Sequence, residues 1–216
     1  MDIPLTITQI LGFCALITTF LQYPSHAAYL LRHKHDTSIL QGVSATSILF
    51  ITTHSLILGI YGVLYDAYFL TLSALSGTAI IIIINILIKA NLWHTLPLLA
   101  YILFIITVFF TAIDTPQEHL KASAVLMAIS MWIPAAFKAL SLHHTPAALA
   151  YPPITSWLII LSNALTIIYG VLIDNIWLWI AAPFSIVCAM IMLSTYHSTK
   201  RYIAFTEAPT EVFKQC

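Results

Sequence analysis

The chain is predicted to be an all-α integral membrane protein, with seven transmembrane helices forming two parallel three-helix bundles joined by a linker helix (3+1+3). Three observations predict this. First, 60% of its 216 residues are apolar and 7% are charged, with a mean hydropathy of +0.95. Soluble domains carry about 25% charged residues, so a water-soluble globule of this size could not cover its surface. Second, the apolar runs are continuous, as in Ala79 to Ile84. A membrane barrel strand alternates with period two, so helices are the spanning structure that fits. Third, an 11-residue segment recurs later in the chain, as described below.

A bilayer crossing takes about 20 helical residues. The runs that fit are Leu5 to Leu31, Val43 to Tyr65, Ala67 to Lys89, Leu92 to Ile113, His119 to Leu142, Tyr151 to Ile173 and Asn175 to His197. The first is read as a retained span, because Met1-Asp2-Ile3-Pro4 lacks the basic region of a signal peptide. Between the runs lie charged and turn-forming residues, such as Arg32-His33-Lys34-His35-Asp36, Asp114 to Glu118 and His143-His144-Thr145-Pro146. The second/third and sixth/seventh junctions are short, marked mainly by Asp66 and Asp174. Residues 1–90 are read as the first triple-helix repeat, 91–117 as the linker helix, 118–199 as the second repeat and 200–216 as a cytoplasmic tail.

Lys and Arg set the orientation. With the N-terminus outside, Arg32, Lys34, Lys89, Lys138, Lys200, Arg201 and Lys214 face the cytoplasm and only Lys121 does not. The net charge is zero, so no basic face for nucleic acid exists. The cysteines, Cys14, Cys188 and Cys216, have neither a disulfide framework nor zinc spacing.

The segment Ile60 to Leu70 recurs as Ile168 to Leu178, an offset of 108, with seven of eleven positions identical. Tyr61, Gly62 and Asp66 match Tyr169, Gly170 and Asp174. Each copy follows a span with an internal proline, Pro24 or Pro134, 37 and 35 residues before its tyrosine. Repeating a three-helix unit in the same orientation needs one extra crossing. The result is a pair of parallel repeats about an axis along the membrane normal, an arrangement used by some transporters.

This pattern resembles the SWEET and PQ-loop transporter superfamily over nearly the whole chain. The residues carrying the resemblance are Gln22-Tyr23-Pro24, Gly42-Val43-Ser44 and Tyr61-Gly62, then Pro134, Pro152 and Tyr169-Gly170, with Asn163 six residues before the tyrosine. The sequence departs from the family in having no Pro-Gln pair. Leu58 and Thr166 stand where SWEETs place an aromatic platform, and the asparagine positions of the third and seventh helices fall near Ser73 and Ala181. The resemblance implies a hinge or gate at the cytoplasmic halves of the bundles, formed by Pro24, Pro134 and Pro152 with Ser44 in the fourth place. Against this, proline is simply common in membrane helices.

His54, Ser55, Ser162, Asn163 and Thr166 occupy corresponding midpoints of spans two and six, and His54, Leu58 and Tyr61 share a face. With Ser73, Ser76 and Ser185 they line a candidate central site for a small polar solute. The competing reading is helix-to-helix hydrogen bonding, favoured for the individual Ser and Thr; the cavity is favoured for Asn163 and His54. His54 is the only ionisable side chain read as lying well inside a span. It either couples protons to the solute or stays neutral with both nitrogens bonded. Asp66 and Asp174 are expected to cap the helices that follow them, with a gate as the alternative. His33, His35, His143 and His144 read as solvated loop residues, not metal ligands.

The function these features imply is a membrane transporter that moves a small polar solute, most simply a sugar, by facilitative alternating access as a uniporter. Proton-coupled amino-acid transport of the PQ-loop type is the alternative. A non-transporting receptor or assembly subunit is a third reading. An intramembrane enzyme is disfavoured, because His54 and Ser55 are about 100° apart on a helix and no hydrolase motif is present. No cofactor is expected. The expected partners are the solute and membrane lipid, with no nucleic acid; the resemblance leaves a homo-oligomer open.

Overall fold

The structure, a computed structural model, describes residues 5–64 and 116–207. Every element among these residues is helical. α1 covers Leu5–Arg32, α2 Thr37–Gln41, α3 Ala45–Leu64, α4 Pro116–Ser130 and α5 Ile133–Ser141. A 3-10 turn, η1, covers Pro146–Ala150, followed by α6 at Pro153–Leu172, α7 at Ile176–Trp179 and α8 at Ala182–Glu207. Among the described residues, three stretches are long and apolar enough to cross a membrane: Ile7–Arg32, Lys121–Ser141 and Pro153–Leu172. The predicted third and fourth spans, with Asp66, Ser73 and Ser76, lie outside the described residues.

The prolines behave differently from one another. Proline lacks an N–H, and its ring crowds the carbonyl four residues back. At Pro134 the helix is interrupted: α4 ends at Ser130, and α5 restarts with Trp132 as N-cap and Pro134 in its first turn. α1 passes Pro24 without a break, packed along α6. Pro152, near the start of the run Tyr151 to Ile173, stands at the helix boundary and not in its interior. It is the N-cap of α6, with extended backbone (φ −69°, ψ 152°), and Pro153 takes the first helical position, where a missing N–H costs nothing.

Asp36 caps α2, its Oδ1 accepting from the backbone N–H of Ser38 and Ile39 and from the Ser38 hydroxyl. These bonds, the Ser38 hydroxyl foremost, hold its carboxyl below the usual carboxylate range. Asp174, predicted to cap the next helix, has a backbone role at the end of the helix before it. Its backbone is left-handed (φ 51°), and it helps to close α6 through Asp174 N–H to Val171 O (3.2 Å) and Asn175 N–H to Gly170 O (2.8 Å). Asp is among the few residues with a side chain that tolerate this conformation. Asp174→Gly is therefore expected to hold or slightly raise thermal stability in detergent. Asp174→Val is expected to lower it by about 1–2 kcal/mol. Equal stability of the two variants would count against a strained turn here.

α1 packs on α6, and α3 packs on α4. α8 lies against α6 and α5, and α2 lies against η1. α8 runs unbroken past residue 199, where the sequence reading placed the start of the tail. The buried positions are rich in small residues, among them Ala135, Ala136, Ala139, Ala148, Ala150 and Ala189. Ile10, Phe13, Leu56, Trp157, Phe184 and Met190 are exposed. Small residues inside and large apolar residues outside are what helix association in lipid favours, because backbones must approach closely without a hydrophobic drive.

Candidate functional site

The midspan residues chosen from sequence fall on two different helix pairs. His54 of α3 reaches α4, with its Nδ1–H donating to Ala124 O at 3.0 Å. Because a carbonyl can only accept, Nδ1 carries the proton and Nε2 is left as the acceptor. Leu58 packs one turn away against the cluster of Ile57, Ala124 and Met127, and Ser55 is buried on the same helix. On α6, the Ser162 hydroxyl donates to Ile159 O (3.1 Å), Asn163 Nδ2 to Ile159 O (2.8 Å) and Thr166 to Ser162 O (2.8 Å). These three bond back to their own helix, as short polar side chains in apolar surroundings do. His54 alone of this set bonds to a neighbouring helix. The amide oxygen of Asn163 takes no part in its bond to Ile159. Ser185, near the start of α8, is buried with no partner for its hydroxyl.

Tyr169 lies against α1. A Cβ added at Gly12 would sit 3.0 Å from the ring's Cε2, so the two helices meet there at a glycine. Tyr61 stands on α3 one turn before its end.

At the end of the bundle that carries His35 and His143, four bonds cross between the two halves of the chain. Ser25 and Thr155 share a hydroxyl bond of 3.1 Å. His26 Nε2–H donates to Ala150 O at 3.1 Å. The backbone N–H of Ser44, the proposed fourth gate residue, donates to the Tyr151 hydroxyl at 3.0 Å. Lys138 Nζ donates to Val43 O at 2.8 Å. Gly42 of the loop after α2 is buried against η1, where an added Cβ would meet Ala147 O at 1.8 Å. Sequence reasoning missed His26 and Tyr151, and named Gly42 and Lys138 without these contacts. His54 is therefore not alone as a histidine inside an apolar helix, since His26 is buried within α1. A lysine inside an apolar run four residues after Pro134 was the available signal for Lys138.

The loop histidines are partly engaged. His33 Nδ1–H donates to Tyr29 O (2.9 Å), His143 Nε2 pairs with the Ser198 hydroxyl (2.6 Å), and the His144 ring lies 4.2 Å from that of Tyr202. Partial desolvation and the neighbouring His144 lower the pKa of His143. Among the described residues no three His, Cys, Asp or Glu side chains are grouped to hold a metal. An open depression of about 510 Å³ lies on the loop between α1 and α2, lined by Arg32, His33, His35, Asp36, Thr37 and Ser38, away from His54 and Asn163. No family model, curated protein or solved structure matches the chain.

Proposed function

We propose that the chain is a membrane transporter that moves a small neutral polar solute, a sugar in the simplest case, by alternating access between two three-helix repeats joined by a linker helix. The observation that carries this reading is the way the repeats pack. The internal repeat relates α1 to the α4–α5 pair and α3 to α6. Between the repeats the principal contacts are α1 with α6 and α3 with α4, so exchanging the repeats turns one contact into the other. Each repeat thus presents its first helix to the second helix of the other. That is the arrangement expected of two units that rock about a shared axis.

The positive-inside count supports a cytoplasmic placement for the end that carries His35 and His143, with the N-terminus outside. The solute position proposed is between α3 and α6, with His54 and Asn163 as its polar contacts and Ser55, Ser162, Thr166, Leu58 and Ser73 around them. With His54 held by a backbone carbonyl, facilitated diffusion needs no further group. Purified protein in liposomes is expected to catalyse counterflow of a radiolabelled sugar, reduced at least tenfold by Asn163→Ala. Full counterflow in that variant would remove the proposed site. No counterflow for any of a panel of sugars would remove the sugar assignment.

A further inference from the structure

We infer that Lys138 and His26 are the two bolts of a latch that holds one end of the bundle closed. The latch deepens the transporter reading, which supplies its purpose. The two bolts are built alike. Each projects from the first helix of one repeat and grips a carbonyl just ahead of the second helix of the other: Lys138 on α5 reaches Val43 O, before α3, and His26 on α1 reaches Ala150 O, before α6. Both carbonyls precede the helical ladders. The ladder of α3 opens with Ser44 O, taken by Ile48 N–H, and that of α6 with Pro152 O, taken by Thr155 N–H. The gripped carbonyls are therefore available to a side chain. The Tyr151 hydroxyl and Ser44 N–H close the same seam between the bolts.

Each bolt follows a proline. His26 stands two residues after Pro24, and Lys138 four after Pro134, beyond the break at Met131–Trp132. A bend at either proline swings the segment that carries the bolt relative to the rest of its helix. A side-chain bond to a carbonyl can be released by rotamer change alone, and the half-buried ammonium of Lys138 has a stem long enough to carry it into water.

Within six residues of the bolts, or of the carbonyls they grip, stand four buried polar atoms with no hydrogen-bond partner: Gln22 Oε1, Ser47 Oγ, Trp132 Nε1 and Ser156 Oγ. Gln22 is four residues before His26, Trp132 six before Lys138, Ser47 four after Val43 and Ser156 six after Ala150. Buried unpartnered polar atoms are costly. Opening this end would give them water or solute hydroxyls as partners. The closed state thus depends on its bolts.

The test is accessibility of a thiol near the latch. In full-length protein with Cys14, Cys188 and Cys216 replaced by alanine, Ser47→Cys is labelled with a bulky water-soluble maleimide in detergent. Ala15→Cys, buried in α1 away from the latch, is the reporter of general loosening. Lys138→Met is expected to raise the Ser47→Cys labelling rate at least tenfold, His26→Ala to raise it less, and Lys138→Arg to restore the slow rate, with Ala15→Cys slow throughout. An unchanged rate at Ser47→Cys in Lys138→Met overturns the latch. So does a parallel rise at Ala15→Cys, which would mark a structural role only. Labelling needs no solute. A faster rate without counterflow in any protein would keep the latch and remove the transporter, and counterflow with unchanged labelling would do the reverse.

Discussion

Gly42→Ala is expected to abolish the well-folded protein, seen as loss of the monodisperse peak on size exclusion and a large fall in melting temperature in a fixed detergent. The cause is space, not conformational freedom. The backbone at Gly42 is ordinary (φ −70°, ψ −19°), so alanine meets no torsional penalty. Its Cβ, however, would lie 1.8 Å from Ala147 O and 2.7 Å from both Ala147 C and the Ala150 Cβ. Two of those atoms are backbone and cannot rotate away. α2 and η1 would have to part, and overpacking of this kind costs about 1–3 kcal/mol or more. The same separation would move Val43 and Ala150, the residues that Lys138 and His26 grip. Gly12→Ala is the comparison. There the added Cβ meets the Tyr169 ring at 3.0 to 3.4 Å, and a ring can tilt. A much smaller loss is expected. Equal losses at the two glycines would mean that the contact between α2 and η1 is not as tight as the structure has it.

Three helices are legible in the sequence to within two residues at the ends that fall inside the described residues. The apolar run Leu5 to Leu31 became Leu5–Arg32, Val43 to Tyr65 became Ala45–Leu64, and Tyr151 to Ile173 became Pro153–Leu172. Each of these runs is bounded by charged or turn-forming residues, so hydropathy alone marks its ends. The fifth run was harder because it holds a proline whose effect is not local. Pro24 and Pro134 have the same chemistry, yet α1 continues and α4 stops. Contacts with the rest of the chain decide between the two outcomes, and sequence does not print them. The helices that carry the candidate residues were legible, but the partners of those residues were not. His54 was singled out as a polar group midway along an apolar run, and it stands midway along α3. That it spends its proton on Ala124 O of α4 follows from packing alone. Ser162, Asn163 and Thr166 were also marked, and whether such residues bond to their own helix or across to another depends on rotamers that composition leaves open. Lys138 was read as one more positive charge near a membrane surface. Its reach to Val43 O becomes visible only when the loop before α3 is placed beside α5.

Trp132→Ala is expected to be the most damaging substitution of a core side chain, and Trp132→Phe the instructive control. Trp132 is 2% exposed and sits in the break between α4 and α5. Its ring belongs to the cluster that includes Tyr23, Val43, Ile48, Tyr151 and Ile159, residues drawn from both halves of the chain. In lipid such a ring stabilises through close contact, because leaving one apolar surface for another gains little. Truncation to alanine removes those contacts at the joint between the helices, a loss of about 3–5 kcal/mol for a buried Trp. Phenylalanine keeps most of the contacts and deletes Nε1, a donor buried without a partner. Losing an unsatisfied donor is favourable and offsets part of the lost ring area. Unfolding followed by far-UV circular dichroism, a probe that does not depend on the tryptophan itself, should therefore rank wild type and Trp132→Phe close together and Trp132→Ala far below. Should the phenylalanine variant fall as far as the alanine variant, Nε1 must be making a bond that matters, and the set of unpartnered polar atoms near the latch would lose one of its four members.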